Sequence, residues 1–202
     1  TDFDGQDQGV KLRLASGNVG LIAAINEEVE QREIAMMMYV YAAIVGLVLL
    51  AYRDWRAMLA CCLPLTLATF LGYWFMKSLD IGLTVATLPV MVLATGIGVD
   101  YAFYIYNRLL AHLVAGANMK SAIQGALREV GIATIFTAIT LSVGVATWSF
   151  SDLKFQADMG ILLTFMFMIN MIMAITVLPA FAVALDALFP RTKPIKATAL
   201  AH

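Results

Sequence analysis

The sequence predicts an all-α integral membrane protein, a five-helix transmembrane bundle with an amphipathic helix on its cytoplasmic side. Three observations carry that reading. Of the 202 residues, 61% are hydrophobic and only 13% charged, whereas soluble domains carry about 25% charged residues. The charges are spaced so that five apolar stretches remain, each near or above the roughly 20 residues a helix needs to cross the hydrocarbon. Finally, the basic residues between those stretches are distributed unevenly between the two sides.

Taken in order, residues 1–33 are polar and acidic and read as the end of something longer, an extracytoplasmic domain closing on a lead-in helix. Val19, Ile22, Ala23, Ile25 and Val29 recur there near the helical period. The transmembrane region, 34–190, then holds spans at about 34–52, 57–76, 81–107, 130–151 and 159–185, delimited by Glu33, Arg53, Arg56, Lys77, Glu129, Asp152, Asp158 and Asp186. Between the third and fourth spans, Met119, Ile123, Ala126, Leu127 and Val130 share one face while Lys120, Gln124, Arg128 and Glu129 lie off it, the pattern of a helix lying along the interface. Residues 191–202 form a basic tail. The loops after spans one and three, with the tail, hold eight Lys/Arg against two in the other loops, so the positive-inside rule places the C-terminus in the cytoplasm and the N-terminus outside.

Several function classes drop out. A formal net charge of -1 offers no basic surface for a phosphate backbone, so nucleic acid is not an expected partner. Cys61 and Cys62 are adjacent, the wrong spacing for a disulfide framework or a metal site, and two histidines cannot complete a ligand cluster. No nucleophile, base and orienting group can be assembled, so an enzyme is not expected, nor any cofactor.

Within the third span the chain reads Gly96-Ile97-Gly98-Val99-Asp100-Tyr101-Ala102-Phe103-Tyr104, and Asp100 is the single formal charge in the five stretches. A carboxyl in the hydrocarbon costs a few kcal/mol, so it is expected to face a partner or water and to serve function. Counting from a window centred near Ala94 or Thr95, Asp100 lies about 8 to 9 Å toward the cytoplasmic side. Its face also carries Gly96, Ile97, Tyr104 and Asn107. Tyr101 lies about 100° round, with Ala94, Gly98 and Ile105, and Ala94, Gly98 and Ala102 repeat a small-xxx-small pattern that allows close helix approach. Gly96 joins these as a packing residue. We therefore expect Asp100 and the small-residue face to meet an equivalent acid-bearing span. Thr134, Thr137, Thr140 and Thr147 keep to one side of the fourth span and Asn170 interrupts the fifth; Thr137, Thr140 and Asn170 are the candidates to support a proton path.

The Gly-rich Asp-Tyr motif, the amphipathic loop after it and Phe155-Gln156-Ala157-Asp158-Met159-Gly160 resemble the resistance-nodulation-division (RND) superfamily, most closely its MMPL-type exporters. The resemblance runs from about Leu14 to Pro190. It implies a bacterial inner-membrane protein of two similar halves, each with a periplasmic porter domain, driven by the proton-motive force. On that pattern residues 1–33 end the second porter domain, the five spans are the C-terminal set, and Asp100 and Tyr101 form the proton relay. The implied partners are the N-terminal half or an equivalent subunit, membrane lipids, a lipid-like or hydrophobic cargo, and periplasmic accessory proteins. Sterol-sensing domains share the five-span core, so a lipid-sensing regulatory module without turnover is the alternative function.

Overall fold

The computed structural model describes residues 18–82 and 87–189; residues 1–17 and the basic tail, with the roles expected of them, lie outside the described residues. Among the described residues five helices are long and apolar enough to cross a membrane. The first, α1, runs from Asn18 to Tyr52. Neither proline nor glycine falls between Gly20 and Gly46, so the lead-in segment and the first span form one continuous helix, of which Ile34–Tyr52 is the membrane portion.

A two-residue turn follows. Arg53 takes a positive φ of 51°, and the Asp54 carboxylate accepts a hydrogen bond from the Arg56 backbone N–H at 3.1 Å, capping the next helix. That helix, α2 (Trp55–Ser78), is folded back on α1. A bond of 2.9 Å between the Tyr41 and Thr69 hydroxyls ties the two together.

The third membrane helix, α3, spans Leu88–Val114, beginning later and ending later than the expected 81–107. Its start is set by Pro89 in the first turn, where the missing N–H costs nothing, and Asp80 stands outside at a positive φ of 51°. Its C-terminal end carries Arg108 and His112 past the apolar stretch. That stretch, 88–107, is centred near residues 97 and 98, which moves Asp100 to about 4 Å from its middle, closer than the sequence count placed it.

Asn118 caps α4 (Met119–Ala126) by accepting from the Ser121 N–H at 2.8 Å. This is the amphipathic helix, and it does not stand apart along the interface. It continues through a π-helical turn, Leu127–Gly131, into α5 (Ile132–Ala146) and a closing 3-10 turn, Thr147–Phe150. Ala122 and Ala126 are buried in one cluster with Ile105, Tyr106 and Leu109 of α3, which holds α4 against the C-terminal half of that helix.

The last helix, α6 (Lys154–Leu188), packs against α2, α3 and α5 together. It buries Leu162, Leu163, Met166, Phe167 and Leu178, and Phe165 stacks on Phe75 of α2 at a centroid distance of 3.9 Å. In contrast, α5 buries only a narrow stripe, Thr134, Ala138 and Ser142.

This helix order gives the orientation a test. With Cys61 and Cys62 replaced by Ala, a cysteine at Ser151, beyond the 3-10 turn, should react with a membrane-impermeant thiol reagent in intact cells, and one at Ala117, between α3 and α4, should not. Labelling at Ala117 from outside would reverse the topology inferred from the basic residues.

Candidate functional site

The site is built on α3, whose circumference divides sharply. Ala94, Gly98, Tyr101, Ala102 and Ile105 are buried, while Leu93, Gly96, Asp100 and Tyr104 are exposed along a strip running the length of the helix. Asp100 therefore lies on an open face of the five-helix unit. Among the described residues it has no hydrogen-bond or ion-pair partner.

The small-residue face points the other way, and this corrects the expectation that it would meet an equivalent acid-bearing span together with Asp100. It is occupied by helices of the same chain. A Cβ on Gly98 would lie 2.6 Å from Asn170 Oδ1 of α6 and 2.8 Å from Leu65 Cδ1 of α2, so α6 and α2 approach α3 across a groove that only glycine leaves open. Ala102 packs in one cluster with Ala57, Ala60 and Cys61 of α2. Gly96, two residues from Gly98, stands on the open strip with nothing near its absent side chain.

Tyr101 is turned into the bundle, 2% exposed, and its hydroxyl is buried with no hydrogen-bond partner among the described residues. It packs in a cluster with Ala138 of α5 and Met171 and Ala174 of α6. Asp100 and Tyr101 are thus adjacent in sequence but serve different surroundings, one outward and one inward.

The threonines do not reach Asp100. Thr134, Thr137 and Thr140 each donate to the carbonyl four residues back, at 2.9, 2.9 and 2.8 Å, and Thr147 donates to Gly144 O at 2.7 Å. Such back-bonding satisfies a hydroxyl within its own helix. Thr134 is buried, and Thr137 and Thr140 remain on an exposed flank with Ala133 and Gly144. Asn170 is 3% exposed, and its Nδ2 donates to Ala94 O of α3 at 2.9 Å.

Sequence reasoning missed a charged cluster where α3 meets the π-helical turn. Arg108 Nε lies 3.5 Å from one Glu129 carboxylate oxygen and His112 Nε2 lies 3.0 Å from the other. Gly125 of α4 makes room for the imidazole, since a Cβ there would sit 2.6 Å from His112 Nε2. The i, i+4 spacing of Arg108 and His112 was the available signal, because it puts both on one face. Their common partner lies on another element, so the spacing alone does not reveal it.

The geometry can be set beside known proteins. The MMPL family matches residues 6–199 of this chain. A relative from Methanocaldococcus jannaschii, MJ1562, whose name describes it as a membrane protein, is 27% identical over 143 residues, or 69% of this chain and 37% of that relative. The chain thus spans little more than a third of the relative's length. Its five membrane-length helices, its acid-bearing α3 and a family match over nearly every residue agree, and the chain belongs to the MMPL family.

Proposed function

We propose that this chain is the membrane half of a proton-motive-force-driven exporter of lipid-like or hydrophobic cargo, in which Asp100 takes up and releases the coupling proton. One observation supports the reading above all others. Asp100 lies near the middle of an apolar membrane helix, on the open face of its own helical unit, with no hydrogen-bond or ion-pair partner among the described residues. A carboxyl so placed would pay a large insertion cost against lipid, so in the working assembly that strip faces protein or water. The strip of Leu93, Gly96, Asp100 and Tyr104 is then the surface presented to the other half of the transporter, on the same polypeptide or an equivalent subunit. The unit lies in the inner membrane, its N-terminal end in the periplasm and its tail in the cytoplasm.

The energetics suit a switch. One proton crossing a potential of about 100 mV releases roughly 2.3 kcal/mol, enough to shift a population between two packings by more than an order of magnitude. Protonation of Asp100 changes its charge without changing its volume, so it biases how the open strip packs and leaves the interior of the unit intact.

The test uses vesicles containing the complete assembly and a fluorescent acyl lipid as cargo. Cargo flux under an imposed pH gradient should collapse with a protonophore. Pretreatment with dicyclohexylcarbodiimide, an apolar reagent that modifies protonated carboxyls, should block flux and leave its label on Asp100. Flux that persists without the gradient would reject proton coupling.

A further inference from the structure

We infer that Asn170 is a positioning residue for Asp100, a hydrogen-bonded clamp that fixes the register of α3 on α6 so that the acid and α6 move as one body. The inference rests on the reading of Asp100 as the coupling group and goes beyond it by assigning which helix carries the acid's motion.

The clamp is built from both ends of one amide. Asn170 Nδ2 donates to Ala94 O at 2.9 Å across a sequence separation of 76 residues, and Oδ1 lies against Gly98, one helical turn further along α3. The two contacts bracket a single turn that ends two residues before Asp100. Asn170 is almost wholly buried, so its polar atoms have no water to exchange with, and releasing the bond would strand a donor in an apolar interior. Gly98 is what allows the contact. A methyl group there would overlap both the Asn170 amide and Leu65, and the amide could move aside only by leaving Ala94 O.

The consequence for motion follows from the contacts of α6. This helix also packs against α2 and α5, so a displacement of α3 imposed at Asp100 is passed to α6 and from there to its other neighbours. A loose α3 could instead slide or turn at Gly98 and let Asp100 titrate without moving the rest. Asn170 therefore does not relay the proton; it couples the proton to the movement of the unit.

Three variants of the complete assembly test this: Asn170→Ala, Gly98→Ala, and the two together. Thermal unfolding reports packing. Protons taken up per fluorescent acyl lipid moved, with uptake read by a pH dye inside the vesicles, report coupling. Each single variant should raise the proton-to-cargo ratio by about threefold or more, the scale on which a positional contact modulates coupling. The double variant, whose alanine at 98 fills space left by the amide, should recover most of the lost thermal stability because both changes break one shared contact, yet keep the raised ratio. Recovery of both stability and ratio would overturn the clamp, leaving Asn170 a space-filling residue. A wild-type ratio in Asn170→Ala, or a double variant no more stable than the singles, would overturn it equally. If Asp100→Asn leaves proton uptake unchanged, the assignment of Asp100 fails by itself, whereas loss of proton uptake in Asp100→Asn beside a normally coupled Asn170→Ala removes only the clamp.

Discussion

Replacing Asp100 by Asn should reduce proton-driven cargo flux by about a hundredfold or more, the usual scale when a positioned proton carrier is removed, while the protein still inserts and folds. The substitution keeps the size of the side chain and its capacity to hydrogen-bond, and removes only the ability to ionise. Because Asp100 has no partner among the described residues of its own unit, no interior bond is lost, and a neutral amide lowers the cost of membrane insertion. Tyr101→Phe should be milder. Its hydroxyl is turned inward with no hydrogen-bond partner among the described residues, so its removal breaks no observed bond, and a partial, severalfold loss of flux is expected. The comparison is made in vesicles with matched amounts of each protein under the same imposed pH gradient. Wild-type flux in Asp100→Asn would remove the carboxyl from the transport mechanism, and equal loss in both variants would mean that the tyrosine hydroxyl takes part as directly as the acid.

The exceptional position of Asp100 was legible in the sequence because a single charge in 27 mainly apolar residues violates the strongest constraint the bilayer imposes. The helical wheel was legible as well: Gly96 and Tyr104 do share the face of Asp100, and Ala94, Gly98 and Ile105 do share that of Tyr101. Which face turns inward was not. Periodicity places residues around an axis, but the neighbours that occupy the groove over Gly98, Asn170 and Leu65, lie 72 and 33 residues away in the chain. Counting between charges also misplaced the start of α3, since the limits of a helix depend on backbone features such as Pro89 that carry no charge signal. The threonines of α5 illustrate a third limit. Their shared flank read as a set of donors for the acid, yet each hydroxyl is already satisfied one turn back, a local alternative that side-chain spacing does not exclude.

Gly160→Ala should be among the most destabilising single-methyl changes in the chain. Gly160 lies in the second turn of α6, where that helix crosses the end of α5 and the 3-10 turn. A Cβ there would lie 2.8 Å from Trp148 Cβ and 2.9 Å from both Ser149 N and Val145 O. Two of the three obstacles are backbone atoms, so no rotamer change relieves the overlap and the helices must separate. Overpacking of this kind costs about 1–3 kcal/mol. The separation also strains the adjacent polar link, in which Thr164 Oγ1 is shared between Gly160 O at 2.7 Å and Ser142 O of α5 at 3.3 Å. Because α5 is held by little more than its Thr134, Ala138 and Ser142 stripe, it has few other contacts to compensate. Gly144→Ala on α5 is the matched control: nothing lies within 4 Å of the new methyl, and Ala is favoured over Gly inside a helix by about 1 kcal/mol. Thermal unfolding in one detergent should therefore move the two variants in opposite directions, Gly160→Ala down by several degrees and Gly144→Ala unchanged or up. Equal melting of Gly160→Ala and the unmodified protein would mean that α6 and the 3-10 turn are not packed against each other at this crossing.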